Sequence, residues 1–178
     1  MNKSLDCIVS YIDLSYVQKN ADARRVMMRL HRLVREHAHT MAAHDEVCYW
    51  QDSVLLLAFV DPTRESYERA MKDVVTLKET IHTLHDCHAI SVKGQSFPDP
   101  ISPISNLKPR TIYLSASSWA FSNCFKIEGE LKHRKADWYI DNRIITKIKA
   151  KRAKDVDEVV LMPGNVSRKI HVYFGAFR

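Results

Sequence analysis

Apolar positions divide the first half of the chain into stretches of two different periods. Cys7–Leu14, CIVSYIDL, is apolar and β-branched and carries Asp13 near its end, which predicts a central strand. Over Ala21–Ala43 the spacing turns helical. Val26, Leu30, Leu33, Val34 and Met41 fall roughly on one stripe, with Arg24, Arg25, Arg32 and Arg35 largely off it. Glu46–Val60, EVCYWQDSVLLLAFV, reads as two short strands joined by a tight turn at Gln51-Asp52-Ser53. Its second half, Ser53–Val60, is almost wholly apolar, which predicts a strand buried on both faces. Asp61-Pro62-Thr63 is a turn, with Thr63 and Ser66 as competing helix caps. Tyr67–Leu84 repeats Val74, Leu77, Ile81 and Leu84 at helical spacing, and His88–Gly94 is a fourth strand.

That order is β-α-β-β-α-β. It predicts an α+β fold with a ferredoxin-like core, an antiparallel four-stranded sheet with both helices on one face. Ser96–Arg110 follows with Pro98, Pro100, Pro103 and Pro109, too many prolines for regular structure and long enough for a flap. Beyond it the reading is a C-terminal extension of one helix and additional strands. Thr111–Ser115 is a short strand, and a helix capped by Ser117 or Ser118 runs to about Leu131. Ala136–Ile140 is another strand, and Glu158–Met162 and Lys169–Phe177 form a terminal hairpin around Pro163-Gly164-Asn165. Between them Asn142–Lys154 carries Arg143, Lys147, Lys149, Lys151, Arg152 and Lys154 with no acid, and reads as a solvated basic face.

Length and composition narrow this picture without choosing a function. A chain of 178 residues suggests one domain over 1–178, with a core of about 7–145 and the basic segment and hairpin in 142–178. Hydrophobic residues at 46% and charged residues at 27% are those of a globular protein, and no apolar run reaches the ~18 residues of a membrane span. The start, MNKSLDCIVSYIDL, holds two acids and no small-residue cleavage site, so no signal peptide is expected. Cys7, Cys48, Cys87 and Cys124 are scattered without metal-binding spacing, so reduced thiols and a cytoplasmic location are expected. A net charge of +6 favours polyanions in general, whether nucleotide, nucleic acid or anionic membrane.

The candidate chemistry lies in Asp13 and Asp52. In a ferredoxin-like sheet the first strand and the second strand of the hairpin are central neighbours, so the two carboxylates approach at one edge. Like charges at 4 Å repel by about 4 kcal/mol at an effective dielectric of 20. A cation or a proton must offset this, and Mg²⁺ or Mn²⁺ bound with substrate phosphates is the natural choice. Trp50, beside the hairpin tip, could line a base pocket. His82, His85 and His88 around Cys87 raise a weaker zinc possibility, since the strand at His88 points away from the helical pair.

YIDLSY followed by EVCYWQDSVLLLAF resembles the class III nucleotidyl cyclase domain, closest in type to the small stand-alone microbial cyclases that include the pyrimidine cyclases of antiphage defence. The later SSWAFSNCFKIEGELKHRKADWYIDNRI resembles that family's late helix and following strand. The resemblance implies metal binding by Asp13 and Asp52 and triphosphate binding by the backbone at Leu14, Ser15 and Tyr16, where this chain has no glycine. It puts Cys48 at a base-reading position and the transition-state pair at Ser122 and Lys126, with Asn123 one residue out of step. It further implies a homodimer, with the Asp pair on one subunit and the Ser122–Lys126 helix on the other. Three functions stay open at this point. One is a nucleotide cyclase making a 3′,5′-cyclic nucleotide and pyrophosphate from a nucleoside triphosphate. The others are a catalytically degenerate cyclase-fold nucleotide sensor or scaffold, and a basic ferredoxin-like module that binds RNA or DNA.

Overall fold

The computed structural model describes residues 4–42, 45–50, 52–96, 119–131, 137–148, 155–161 and 168–175. The proline-rich stretch, the short strand expected at Thr111–Ser115, both candidate caps at Ser117 and Ser118, and the terminal turn lie outside the described residues.

Strand β1 (Leu5–Leu14) leads through a 3-10 turn (Val17–Lys19) into helix α1 (Ala23–Ala38). Then come β2 (Glu46–Trp50), β3 (Ser53–Phe59), α2 (Arg64–His82) and β4 (Cys87–Ser96). The remainder is α3 (Trp119–Leu131), β5 (Trp138–Asp141), α4 (Asn142–Ile148), β6 (Asp155–Leu161) and β7 (Arg168–Gly175). One seven-stranded sheet has the order β2-β3-β1-β4-β5-β7-β6. Its first four strands are all antiparallel, the ferredoxin-like order expected from the sequence. β5 pairs parallel to β4, and the terminal hairpin extends the sheet beyond β5.

Two apolar layers sandwich this sheet. One face of β1, β3 and β4 carries Ile8, Ile12, Leu14, Val54, Leu56 and Ala89, packed under α1 and α2. The other carries Cys7, Val9, Tyr11, Leu55, Leu57, Ile90 and Val92, covered in part by Ala120, Cys124 and Ile127 of α3. Strand period two assigns each residue to its face. β3 is buried on both faces over Ser53–Ala58, as its unbroken apolar run requires. Thr63 caps α2, its hydroxyl accepting from the Ser66 N–H. Asp45 fastens the far end of β3. Its buried carboxylate accepts from the Phe59 N–H and from Arg69, whose other guanidinium nitrogen donates to the Phe59 carbonyl.

The basic run differs from expectation in its first half. Asn142–Ile148 is a helix, and Ile144, Ile145 and Ile148 are buried in the layer that holds α2. Its i, i+1, i+4 isoleucines form an apolar face that the surrounding cations obscure in a charge count. Asp141 holds its start, accepting from the Arg143 and Lys93 N–H groups and from the Arg143 guanidinium. The extension therefore contains two helices, one more than the sequence reading gave it.

Candidate active site

The site grows out of a single cross-strand row. Backbone pairing sets Trp50 opposite Ser53, Ser53 opposite Asp13, and Asp13 opposite His88. Period two puts Ser53, Asp13 and His88 on the face covered by α3, one row beyond Leu55, Tyr11 and Ile90. Asp13 is thus a polar group placed where an apolar layer meets solvent.

Hydroxyls orient it. Ser53 Oγ lies 2.6 Å from Asp13 Oδ1 and 2.9 Å from the Tyr11 hydroxyl, which itself donates to Asp13 Oδ1 at 3.2 Å. Burial pushes the Tyr11 phenol well above its ordinary range, so it remains a donor at any physiological pH. Both contacts fall on one carboxylate oxygen.

Helix α3 supplies the third side chain. Gly94 of β4 sits directly beneath Ala120, so close that a Cβ there would be 2.4 Å from the alanine's methyl carbon. Glu128 lies two turns further along the same helix. A ligand atom from each of Asp13, His88 and Glu128 lies within 4.8 Å of the others. The three residues come from β1, β4 and α3, and all are half-buried. Two carboxylates at that spacing repel by at least about 3 kcal/mol at an effective dielectric of 20. His88 is poorly placed to neutralise them, because burial lowers its pKa and the nearby Asp13 charge opposes this only in part. The ring of His88 is set edge-on to Tyr139, 6.4 Å between centroids. Two carboxylates and one imidazole from three rigid elements form a donor set that fits a divalent cation.

Asp52 stands next to this group. The Leu14 N–H donates to its carbonyl at 3.4 Å, and its carboxylate accepts from Gln18 Nε2 at 2.8 Å. The backbone therefore brings Asp13 and Asp52 to the same end of the sheet. The chain between them, Ser15–Gln18, wraps the same corner. Ser15 donates its N–H to the Asp86 carbonyl, and its own carbonyl lies 2.8 Å from His85 Nε2. Tyr16 holds a left-handed backbone, φ 54° and ψ 29°, with a side chain 76% exposed. Only glycine takes that conformation freely. Leu14 differs: its side chain is buried under the helices on the opposite face, so only its backbone faces this corner.

The remaining residues named from the sequence separate by position. Cys48 pairs with Leu55 and packs, half-buried, against the layer of Tyr11 and Leu55, one row away from Asp13. Trp50 belongs to the Asp13 row by register. Ser122 and Lys126 are exposed, one turn apart on α3, whereas Asn123 is turned inward and 8% exposed. The histidine trio does not assemble: His82 pairs with Asp86, His85 meets the Ser15 carbonyl, and His88 joins Asp13. Sequence reasoning disfavoured the histidine trio as a metal site and did not set His88 or Glu128 beside Asp13. The available signal was strand parity, which puts His88 on the face of Ile90 and Val92.

No family model matches the chain, and no curated protein matches it either. Solved structures do. The adenylyl cyclase CyaB from P. aeruginosa aligns over 100% of this chain and 97% of its own, with a TM-score of 0.58 at 9% identity. The fold is that of the adenylyl and guanylyl cyclase domains. The catalytic core of a rhodopsin-guanylyl cyclase with converted specificity, in complex with ATPαS, aligns over 100% of this chain and 99% of its own, with a TM-score of 0.55 at 13% identity. The adenylate/guanylate cyclase/hydrolase from Silicibacter pomeroyi covers 98% of both chains with a TM-score of 0.52 at 8% identity. At such identities the likeness shows the cyclase fold alone. Among the described residues no helix is long and apolar enough to cross a membrane, and all four cysteines are free.

Proposed function

We propose that this cyclase-like protein binds a nucleoside triphosphate with a divalent cation at the Asp13 end of the sheet and closes it to a 3′,5′-cyclic nucleotide, releasing pyrophosphate. The observation that carries the reading is the meeting of Asp13 and Asp52 at one corner of a cyclase fold, through the Asp13–Ser53 pair and the Leu14 N–H to Asp52 carbonyl bond. Asp13, with Asp52 beside it, would hold the cation, and Glu128 and His88 stand within reach of the same position. Bound there, a divalent cation would supply charge neutralisation on the phosphates.

The chain's own residues do the rest. Ser53 and Tyr11 fix the orientation of the Asp13 carboxylate. The left-handed turn at Tyr16 and the 3-10 turn after it have the geometry that aims successive N–H groups at an anion, the place for the β- and γ-phosphates. Ser122 and Lys126 point outward from α3, as a helix serving a partner's site would present them, so the active unit is a homodimer. Lys126 brings positive charge to the leaving pyrophosphate without the planar fork of an arginine.

A second reading, nucleotide binding without turnover, draws on Tyr16 in place of a glycine, which crowds the phosphate corner. The nucleic-acid reading loses its support. Tyr11 is 5% exposed, and Tyr49 is half-buried with its hydroxyl donating to the His31 carbonyl, so neither is a base-stacking platform on an open sheet. The test is incubation of purified protein with each ribonucleoside triphosphate and Mg²⁺ or Mn²⁺, read by mass spectrometry. A cyclic nucleotide with pyrophosphate supports the cyclase reading. Binding of triphosphate with no product supports the sensor, and no binding of any triphosphate removes both.

A further inference from the structure

Magnesium is a poor match for the donor set around Asp13. It favours all-oxygen octahedral surroundings, keeps several of its waters, and rarely accepts imidazole. Here a histidine from β4 is brought to the same point as Asp13 and Glu128, with ligand atoms of all three within 4.8 Å. Three protein donors, one nitrogen and two oxygen, make up the mixed set typical of a transition-metal site, in which geometry and donor type select the ion.

The supports of each donor agree with that pattern. Ser53 and Tyr11 both bond Asp13 Oδ1, which orients the carboxylate. Such outer contacts hold a first ligand in place and are characteristic of metal-binding carboxylates. His88 is fixed by its place in β4 and by the edge of Tyr139. Glu128 is carried by a helix seated on Gly94 with no space to spare. Each of the three donors therefore stands on a rigid element, as a preorganised metal site requires.

We infer that Asp13, His88 and Glu128 form a mononuclear site for a first-row transition-metal dication of the zinc class, selected over Mg²⁺ by His88. The inference rests on the reading of Asp13 as a metal ligand given above, and it names the ion class that the corner takes. It also separates the two aspartates. Asp13 holds the ion with protein partners of its own, and Asp52 acts mainly when triphosphate is present.

The test is calorimetric titration of the full-length chain, free of nucleotide, with ZnCl₂ and separately with MgCl₂. The wild type is expected to take up one Zn²⁺ per chain at least about tenfold more tightly than Mg²⁺. His88→Ala and Glu128→Gln should each weaken that Zn²⁺ site by about 10- to 100-fold. His88→Ala should leave Mg²⁺ affinity unchanged. Glu128→Gln keeps the size and shape of this half-buried side chain, so it remains informative even if His88→Ala does not fold. Zn²⁺ binding that survives both substitutions would assign the ion to other histidines and overturn the proposal. Mg²⁺ binding as tight as Zn²⁺ in the wild type would overturn it as well. Because no nucleotide is present, loss of the cyclase reading in the mass-spectrometric assay leaves this result standing, and the reverse also holds.

Discussion

Gly94→Ala tests how the fold reaches the site, because the added methyl is far from every proposed ligand. Its Cβ would lie 2.4 Å from the Cβ of Ala120, against an ordinary carbon–carbon contact of about 3.5–4.0 Å. Helix α3 must therefore back away from β4 by about 1 to 1.5 Å, or the strand must buckle by as much. Overpacking of this kind costs about 1–3 kcal/mol. Replacing glycine by alanine returns about 0.4–1 kcal/mol through the unfolded chain, leaving a net loss of about 0.5–2 kcal/mol. For a chain of this size that lowers Tm by about 2–6 °C. Because α3 is a rigid helix, the displacement at Ala120 carries Glu128 away from Asp13 and His88, and Zn²⁺ affinity should fall together with stability. The double variant Gly94→Ala/Ala120→Gly restores the spacing. It should recover Zn²⁺ binding while retaining a helix penalty of about 1 kcal/mol from the new glycine. Urea denaturation and Zn²⁺ titration of the wild type, both singles and the double give the coupling directly. A Gly94→Ala protein with unchanged stability and unchanged Zn²⁺ affinity would refute the claim that this contact positions the site.

Three further outcomes follow from the same geometry. Tyr16→Gly relieves a left-handed non-glycine backbone at a cost of about 1–2 kcal/mol, offset in part by glycine's own entropy, so it should raise Tm by a few degrees in a thermal melt and tighten triphosphate binding. Asp52→Asn keeps the turn and removes a charge. It should abolish metal-dependent turnover, by about 10²-fold or more, while leaving the metal-free fold intact; equal triphosphate-induced melting shifts in variant and wild type would contradict this. His37 is the pH probe. Burial lowers its pKa below the ordinary 6.5, opposed by nearby Asp73, and its Nε2 has no hydrogen-bond partner. A depressed folded pKa means the unfolded chain takes the proton first, so stability falls as pH drops through about 6.5. His37→Gln should flatten the part of the Tm profile between pH 7.5 and 5.5 that His37 contributes, and an unchanged slope would show that it contributes none.

The core of the fold was legible because its signals were local. The all-apolar run after Asp52 has one consistent placement, a central strand buried on both faces, and β3 occupies it. With β1 beside it, the adjacency of the Asp13 and Asp52 backbones follows from topology alone. Helix α4 was less legible, since three isoleucines among several cations read as a charged face until α2 supplies the surface they cover. The approach of Glu128 to Asp13 was the hardest feature to read. Glu128 reaches Asp13 across more than a hundred positions of sequence, and its approach depends on a missing Cβ at Gly94, a steric fact without periodicity or motif. The separation of His88 from His82 and His85 was legible from the strand direction, but its pairing with Asp13 depends on the register of β4 against β1.

A crystal of the protein grown with Mn²⁺ and a non-hydrolysable nucleoside triphosphate analogue, measured at the manganese absorption edge, tests the central claim most directly. The account predicts an anomalous peak within about 2.2 Å of an Asp13 carboxylate oxygen, in contact with the triphosphate and beside the Asp52 turn. A triphosphate bound elsewhere on the chain, or manganese with no contact to Asp13, would contradict it.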